Sequence, residues 1–403
     1  MDVPPVPPAA ALPAADLRAA AAAGVPVRRR HVLHVFPSFG IGGVPLRIVR
    51  LINHFGPGLR HTVVALDNDF RAADGLSPTL DVRLLRFEQR RSGFARRVSA
   101  IGGELRRLRP DLLVTYNWGA IEWAAANRIF AGLSHVHIEA GFSRREADRQ
   151  LRRRVLFRRW ALRGCARVIV PSRTLEDVAR RVWKLPAAQV MLIPNGVDLD
   201  RFADPAQAKG AVARGPGEIV IGTVAPLRPE KNIGRLLRAF AALDRTLATR
   251  LVIAGDGEER PYLEQLAAQL GIGQRVVFTG RVAPETVLGS LDIFAMSSDT
   301  EQMPNALLEA MAASRPVVSV DVGDIGVILG AASREFVVPR DDPAAFVAAL
   351  DKLVRDPARR ERLGRENRRR VTELFGQDRM FAAYSAIFGV EAVPPSGAAM
   401  APS

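Results

Sequence analysis

Ser298–Pro316 reads SDTEQMPNALLEAMAASRP, and this stretch joins a strand-end loop to a helix start. Pro304 suits the first helical position, where its fixed φ and missing N–H cost nothing, and Asn305–Ala313 is predicted to be helical. Glu301 in the loop and Glu309 in the helix would lie about 10 Å apart at a helical rise of about 1.5 Å per residue. The helix N-terminus between them favours anionic phosphate. The pattern is compatible with one carboxylate on a sugar, the other on a ribose, and a pyrophosphate between them. For two glutamates taken alone, however, a partner of the helix dipole and a solvated helix face are the favoured explanation.

The same stretch resembles the E-x7-E region of retaining, family 4 glycosyltransferases (glycosyl transferases group 1), which have the GT-B fold. Asp299–Asn305, Leu308–Ala312 and Pro316–Gly323 follow the order of that family, and the resemblance extends over His31–Val390. It implies a hexosyl-type transferase that uses a nucleoside-diphosphate sugar and retains the anomeric configuration. It also implies that no metal is essential.

The length and the alternation of segments predict a two-domain α/β protein. A chain of 403 residues is too long for one core, and short apolar runs alternate with helical stretches, which favours parallel sheets. Seven such runs lie before residue 195 and six after residue 218. With the resemblance, this predicts two Rossmann-like domains of the GT-B type, with parallel sheets facing each other across a cleft. The expected parts are a disordered tail 1–30, an acceptor-side domain 31–200 completed by a C-terminal helix 375–390, a nucleotide-sugar-binding domain 211–374, and a disordered tail 391–403.

The formal net charge of +15 invites a nucleic-acid interpretation. However, nearly all the basic residues are arginine, and no nucleic-acid-binding motif is visible. With only three tyrosines, the chain also has few aromatic side chains of this type among its basic residues. Phosphate-bearing substrates and an anionic membrane surface are better partners for the basic groups, and nucleic acid is not expected.

Cysteine content and hydropathy bear on the compartment. Cys165 is the single cysteine, so no intramolecular disulfide is expected, which fits a reducing cytoplasm. No apolar run reaches the roughly 18 residues needed to cross a bilayer. The expected location is the cytoplasm, including peripheral attachment to the inner face of the cell membrane.

One basic segment, Arg144–Arg163, is predicted to be an amphipathic helix with leucine, valine, phenylalanine and tryptophan among its arginines. Two interpretations stay open. The helix can lie on an anionic membrane, which would suit a lipid-linked acceptor, or it can pack on the first domain with snorkelling arginines.

A glycine loop follows the first predicted strand. Gly42 and Gly43 at a strand-to-helix turn can bring backbone close to a phosphate, although a tight structural turn explains them equally well. The spacing half-matches a dinucleotide fingerprint that ends at Asp67, but its third glycine would fall on Pro45. The resemblance implies that Gly42 and Gly43 approach the donor phosphate. Family members often carry glutamate where this chain has Pro45.

A lysine follows the first strand of the second half. Lys231 at this strand-end turn can meet a diphosphate as a point charge, and a solvated lysine that caps a turn is the alternative. Leu227–Asn232 resembles the family's phosphate loop, which implies that Lys231 is a ligand. The family's arginine five residues earlier is replaced by Pro226, and Arg228 is expected to supply the missing charge.

Further donor contacts are implied by the resemblance. Gly255 and Gly257 match a G-x-G turn near the nucleotide base, although turn chemistry alone explains them too. Asn195 and Gly196 match an interdomain signature and are expected to be architectural. The predicted catalytic residues are Glu301, Lys231 and Arg228, and the predicted donor-binding residues are Gly42, Gly43, Gly255, Gly257, Met303, Pro304, Asn305 and Glu309.

The acceptor site is predicted at the end of a first-domain strand. Tyr116, Asn117 and Trp118 form a polar and aromatic triplet that suits sugar stacking, at a strand end where ligands bind in such sheets. His137 joins them as a candidate, although a buried, satisfied histidine is favoured over a catalytic one. Family members commonly carry histidine where this chain has Ala140.

No metal and no cofactor other than the donor substrate are expected. Asp67–Asp69 and Asp198–Asp200 match D-x-D, but a pattern this short arises by chance. His135 and His137 have ligand-like spacing without a third ligand.

Two rival functions remain at this stage. A catalytically degenerate GT-B partner in polysaccharide assembly is prompted by Ala140, Pro226 and Pro45. A nicotinamide-dependent oxidoreductase built on the glycine loop is disfavoured by Pro45 and leaves the second domain unexplained.

Overall fold

A computed structural model describes residues 29–88, 93–141, 146, 150–203 and 214–390. These residues form two compact units. The first contains the described residues of Met1–Gly141, Arg149–Ile193 and Asp378–Ser403, and the second those of Phe142–Asp148 and Pro194–Gln377. The expected tails 1–30 and 391–403 lie outside the described residues, apart from Arg29 and Arg30.

The first unit is built on one parallel sheet. Its strands are β1 (Arg30–Phe36), β2 (Leu59–Ala65), β3 (Val82–Arg86), β4 (Leu112–Tyr116), β5 (His135–Ile138), β6 (Arg167–Val170) and β7 (Val190–Leu192). Their order in the sheet is β3-β2-β1-β4-β5-β6-β7. Most of the strand residues are buried, as expected where helices cover both faces of a parallel sheet. The helices are α1 (Gly43–Phe55), α2 (Phe94–Leu108), α3 (Ile121–Ala126), α4 (Arg152–Leu162) and α5 (Arg173–Asp177).

The second unit repeats the arrangement with six strands. They are β8 (Ile219–Val224), β9 (Thr249–Ala254), β10 (Val276–Gly280), β11 (Ile293–Met296), β12 (Val317–Val320) and β13 (Val337–Val338). All are parallel, in the order β10-β9-β8-β11-β12-β13. The helices are α6 (Ile233–Ala241), α7 (Arg260–Gln269), α8 (Pro284–Leu288), α9 (Asn305–Ala312), α10 (Ile325–Leu329), α11 (Pro343–Arg355) and α12 (Pro357–Phe375). Each of the thirteen predicted apolar runs overlaps one of these strands.

The last helix, α13 (Gln377–Phe388), returns to the first unit. Met380, Phe381, Tyr384 and Phe388 project into the core formed with β1 and α1, because a spacing of three or four residues places them on one helical face.

The boundary between the units differs from the predicted one at residue 200. Residues 194–200 belong to the second unit, because Val197 pairs there with the C-terminal end of α12. The backbone N–H of Val197 donates to the carbonyl of Phe375 at 2.9 Å, and the N–H of Gln377 donates to that of Val197 at 2.9 Å.

The basic helix begins later than predicted, and the helix after the glycine loop begins within that loop. The basic helix α4 begins at Arg152, and most of 142–149 lies outside the described residues. Val155, Ala161 and Leu162 are buried, so α4 packs on the first unit. The helix α1 begins directly at Gly43, since a proline at position 45 is tolerated within the first turn.

Arginine side chains hold the C-terminal ends of several helices. Arg30 donates to the carbonyl of Phe388 at 2.8 Å, Arg360 to Leu353 at 2.7 Å and Arg370 to Ile328 at 2.6 Å. Arg368 likewise donates to the carbonyl of Ala312 at the end of α9. The last carbonyls of a helix have no partner within it and carry its negative dipole end. Part of the excess positive charge is therefore structural.

Strand order determines where loops can meet to form a site. In the first sheet, β2 and β3 lie on one side of β1 and β4 to β7 on the other, so the strand order reverses between β1 and β4. In the second sheet, it reverses in the same way between β8 and β11. Ligands of open α/β sheets bind outside the carboxyl ends of strands at such switch points. None of the helices in the described part of the chain combines the length and apolar character needed to cross a membrane.

The first unit contains all six histidines and all four tryptophans of the chain. Burial lowers the pKa of His61 to about 4 and that of His135 to about 3. His34 Nε2 hydrogen-bonds with His61 Nδ1 at 3.0 Å, and His34 Nδ1 with the hydroxyl of Tyr116 at 2.8 Å. These imidazoles are therefore neutral in the folded state at neutral pH.

We expect the first unit to lose stability on acidification from pH 7 to about pH 4.5. Unfolded histidines bind protons below about pH 6.5 while the buried ones do not, and each contributes a loss of roughly 2 kcal/mol over that window. Urea unfolding followed by tryptophan fluorescence reports on this unit alone. His61→Gln should reduce the loss, whereas the control His54→Gln, at a half-exposed position, should retain most of it. Identical slopes in wild type and His61→Gln would contradict the prediction.

Candidate functional site

Two loops meet at the carboxyl ends of the neighbouring strands β8 and β11. The backbone N–H of Asp299 donates to the carbonyl of Glu230 at 2.8 Å. Lys231 Nζ donates to Glu301 Oε1 at 2.5 Å, and the two side chains are only 19% and 10% exposed. Two predicted site residues that are 70 positions apart in sequence are thus one ion pair.

Two further residues hold Glu301, one at its carboxylate and one at its backbone. Ser298, itself buried, donates its hydroxyl to Glu301 Oε1 at 2.7 Å. Behind the loop lies Gly323, in the turn after β12, with φ at +56°. A Cβ at Gly323 would lie 2.0 Å from the carbonyl oxygen of Glu301, so only glycine fits. Sequence reasoning assigned no role to Ser298 or Gly323, although a glycine just after a strand was a usable signal.

A polar network supports the turn that carries Lys231. Asn232 adopts a left-handed conformation, and its side-chain oxygen accepts from the N–H of Arg235, which caps α6. Its Nδ2 donates to Asp299 Oδ1 at 3.0 Å. Arg235 pairs with the same carboxylate at 2.9 Å and donates to the carbonyl of Ser297 at 2.6 Å. Asp299 and Arg235 therefore fix the two loops relative to each other, a role that sequence reasoning missed.

The helix start after Met303 is anchored by Asn195. The amide of Asn195 donates to the carbonyl of Met303 at 2.8 Å and to Asn305 Oδ1 at 3.0 Å, and its backbone N–H donates to the sulfur of Met303 at 3.2 Å. Pro304 was predicted to be the first residue of the helix. It is instead the N-cap, one position earlier, because its ψ of 123° is extended. Asn195 therefore has the architectural role expected for it.

The second glutamate, Glu309, is half-buried on α9 near Arg201. Burial lowers the pKa of Arg201, but its bond with Glu285 at 2.7 Å and the neighbouring carboxylates, Glu309 among them, raise it more, so that the net shift is upward. Arg201 was not among the predicted residues.

Close packing requires glycine at both Gly255 and Gly257, in the turn predicted to lie near the nucleotide base. A Cβ at Gly255 would lie 1.8 Å from the carbonyl oxygen of Ala225, and one at Gly257 would lie 2.3 Å from that of Leu227. The turn after β9 therefore presses against the loop that leads to Lys231. Their contact with a nucleotide stays a prediction.

Arg228 lies in the same turn as Lys231. Its carbonyl accepts from the N–H of Lys231 at 3.0 Å, and its side chain is exposed. Pro226, which replaces the family's arginine, is exposed in the same loop.

The close approach in the first glycine loop occurs at Gly40. A Cβ there would lie 2.4 Å from Asp69 Oδ2, whereas Gly42 is extended and is the N-cap of α1. Asp69 pairs with Arg71 at 2.6 Å, and hydrogen bonds from Arg71 lower the pKa of Asp69. One carboxylate of a D-x-D pattern thus has a structural partner. Within the described ranges no three His, Cys, Asp or Glu side chains cluster as a metal site would require.

Two of the residues predicted to bind the acceptor at a strand end lie in the interior of the first unit. Tyr116 is fully buried and stacks on Phe36 at 3.8 Å, and burial raises its pKa well above the usual value. His137 is also fully buried and hydrogen-bonds through Nδ1 with Thr115 Oγ1 at 2.8 Å. These two assignments are corrected: both side chains are core groups, because helices cover both faces of a parallel sheet. His137 is buried as expected, but it is satisfied only at Nδ1: within the described residues its Nε2 has no hydrogen-bond partner and lies 3.7 Å from Glu139 Oε2.

Asn117 ties the ends of β4 and β5 together. Its φ of 55° and ψ of 179° lie in a region that glycine normally occupies. Its N–H donates to the carbonyl of Ile138 at 2.9 Å, and its Oδ1 accepts from the N–H of Ala140 at 2.8 Å. This strained link sets the direction in which Trp118 leaves the strand.

Trp118 contacts two guanidinium groups of α4. The guanidinium carbons of Arg154 and Arg158 lie 4.9 Å and 4.7 Å from the centre of its ring. Arg158 is buried, and its Nε lies 3.6 Å from Glu139 Oε2. The buried charge pair therefore fixes a partly exposed aromatic ring at the strand end.

The comparisons with known proteins agree with this architecture. The family model described as Glycosyl transferases group 1 matches residues 207–370, and that described as Glycosyltransferase Family 4 matches residues 41–201. D-inositol 3-phosphate glycosyltransferase of Nocardia farcinica is 32% identical over 209 residues, which are 48% of this chain and 46% of that protein. The chain thus spans about half the length of this relative.

Solved structures show the fold. Sucrose-phosphate synthase from Thermosynechococcus elongatus superposes with a TM-score of 0.76 at 21% identity, over 89% of this chain and 98% of that one. HepE from Anabaena in complex with UDP-glucose gives 0.74 at 17% identity, over 89% and 98%. The predicted GT-B fold with two Rossmann-like units is confirmed.

Gly257→Ala should lower the melting temperature and weaken binding of a nucleoside diphosphate. The added Cβ would displace the carbonyl of Leu227, and overpacking of this kind costs about 1–3 kcal/mol. The control Gly273→Ala places its Cβ 3.9 Å from the nearest atom, at ordinary contact distance. Differential scanning calorimetry and titration calorimetry measure both effects. Equal behaviour of the two variants would contradict the close packing.

Proposed function

Because the chain belongs to the family 4 glycosyltransferases of the GT-B fold, we propose that it transfers a hexosyl group from a nucleoside-diphosphate sugar to a glycan or lipid-linked acceptor. The proposed reaction retains the anomeric configuration and needs no metal. The observation that carries the proposal is the contact between Lys231 and Glu301 on adjoining strand-end loops, close in sequence to the start of α9.

The proposed mechanism rests on electrostatic stabilisation of the leaving diphosphate. Lys231, Arg228 and the N-terminal N–H groups of α9 supply fixed positive charge where negative charge develops. In the free protein the ammonium of Lys231 is neutralised by Glu301. A bound diphosphate takes over Lys231, and Glu301 then becomes available to accept hydrogen bonds from the donor sugar. Glu309 accepts the ribose hydroxyls.

The donor class has additional support from a structural neighbour, since HepE is described in complex with UDP-glucose. We also propose Gly42 and Gly43 as donor-binding residues, as the family resemblance implies. On the acceptor side, the ring of Trp118 and the amide of Asn117 are the groups available to a sugar. We place the reaction in the cytoplasm.

Family membership excludes one of the two rival functions. Both units match glycosyltransferase models, so a nicotinamide-dependent oxidoreductase is set aside. A catalytically degenerate partner in polysaccharide assembly would bind the donor without transfer, and it becomes an outcome of the experiments below.

The two glutamates should separate donor binding from transfer. Glu309→Ala should weaken binding of free UDP, GDP or ADP, whichever binds, by roughly 1.5–3 kcal/mol because a charged acceptor of the ribose hydroxyls is lost. Glu301→Gln should not weaken binding of the free nucleotide, because the carboxylate that competes for Lys231 is removed, and it should lower kcat for transfer or hydrolysis of the sugar nucleotide. Titration calorimetry and nucleotide-release kinetics measure the two quantities. The control Glu361→Gln changes an exposed carboxylate of α12.

Normal binding and turnover in both site variants would reject the proposed site. Donor binding by the wild type without any release of nucleotide, across sugars and acceptors, would favour the degenerate partner instead.

Transfer should persist in EDTA and preserve the anomeric configuration. The positive groups of the protein take the place that a divalent metal has in other glycosyltransferases. Activity in EDTA tests the independence from metal, and the product linkage, determined by NMR, tests the retention of configuration. Loss of activity with rescue by Mn²⁺ would make the aspartates of Asp67–Asp69 or Asp198–Asp200 candidate ligands, and an inverted product would reject retention.

A further inference from the structure

An apolar and basic surface lies on one side of the first unit. Its core is the ring of Phe157, which contacts the rings of Phe94 and Trp160, each at 5.6 Å. The guanidinium carbon of Arg128 lies 5.5 Å from the centre of the Trp160 ring. We call this surface the aromatic–arginine face; its residues are Phe94, Arg106, Arg128, Ile129, Phe130, Arg152, Arg153, Leu156, Phe157 and Trp160.

The face exposes large apolar side chains that a folded unit ordinarily buries. Leu156 is 61% exposed, Ile129 50%, Phe94 43%, Trp160 38% and Phe130 37%. Among the described residues, three of the four strongly exposed large aromatic side chains belong to it. Contiguous exposure of this kind marks an interaction site.

The charge of the face is one-sided. The helix α4, RRRVLFRRWAL, carries five arginines and no acidic residue, and Arg152 and Arg153 are exposed at its start. The nearest acidic groups on α2 and α3 are already paired, Glu104 with Arg107 and Glu122 with Arg97. The face therefore presents positive charge beside exposed leucine, isoleucine and aromatic side chains.

We propose that the aromatic–arginine face docks on the interfacial region of an anionic bilayer. Arginine beside aliphatic and aromatic side chains is the composition of interfacial helices, tryptophan settles at the headgroup level, and anionic headgroups attract each basic residue near the surface. A second copy of the chain is a poorer occupant, because a two-fold contact would bring α4 against its own arginines.

Docking has a consequence for the substrate. Trp118, at the end of β4, lies 5.9 Å from Phe157 ring to ring, so the face adjoins the acceptor-side strand end. A membrane bound there would present a lipid-linked acceptor to Trp118. This last step rests on the proposed function, whereas the docking itself does not.

Vesicle co-sedimentation of the full chain, without any donor, tests the apolar half of the face. Wild type should bind phosphatidylglycerol-containing vesicles at moderate salt and bind pure phosphatidylcholine far more weakly. Leu156→Ser/Trp160→Ser should lower the affinity about tenfold or more. The control Leu374→Ser removes an apolar side chain that is 41% exposed on α12 of the second unit, and it should change the affinity less than twofold.

The charged half is tested with variants of equal net charge. Arg152→Glu/Arg153→Glu should weaken binding about tenfold or more, whereas Arg362→Glu/Arg365→Glu, on α12, should change it less than threefold. Circular dichroism verifies folding of each variant. For wild type, vesicles should shift tryptophan emission to shorter wavelength, and Trp160→Ser should lose most of that shift.

Three results would overturn the inference: no vesicle binding by the wild type, equal loss in face variants and controls, or a dimer that Leu156→Ser/Trp160→Ser dissociates. Equal loss would assign binding to the overall positive charge, and a dimer would assign the face to a second copy. Vesicle binding without transfer activity would reject the proposed function alone, and transfer without vesicle binding would reject this inference alone.

Discussion

The ion pair between Lys231 and Glu301 is the interaction around which the second unit is arranged. It forms because β8 and β11 are neighbours in the sheet, so that the loops after them leave the same edge side by side. Ser298, Asn232, Asp299 and Gly323 hold those loops by hydrogen bonds and close backbone contact. The site is therefore ready for a diphosphate, which can replace the carboxylate as the partner of the lysine.

The acceptor-side strand ends of the first unit are held by a different arrangement of charge. Glu139 and Arg158 are buried beside each other, and Arg158 supports the ring of Trp118. A buried carboxylate would be costly without such a partner. The strain at Asn117 is compensated by hydrogen bonds to the neighbouring strand end. Both arrangements hold the ring of Trp118 in place. The exposed side of α4 next to this ring is the basic and apolar aromatic–arginine face.

Arginine content links the composition to the fold. Several guanidinium groups satisfy the terminal carbonyls of helices, where a permanent positive charge opposes the helix dipole. A net charge of +15 therefore does not by itself indicate a polyanionic partner. The arginines of α4 differ because they lie beside exposed apolar side chains, and only their neighbours in space distinguish the two uses.

Local patterns in the sequence determined the thirteen strands, the helix after Met303, the pair of glutamates and the position of Lys231, because apolar runs, proline at a helix start and strand-end turns act over a few residues. Sequence did not show that Tyr116 is a core group, since the alternation of buried and exposed side chains along a strand is lost where helices cover both faces of a sheet. It also could not show that Lys231 contacts Glu301, or that Gly323 lies behind that glutamate. Those contacts depend on strand order in the sheet, which brings distant loops to one edge, and only the tertiary structure decides that order.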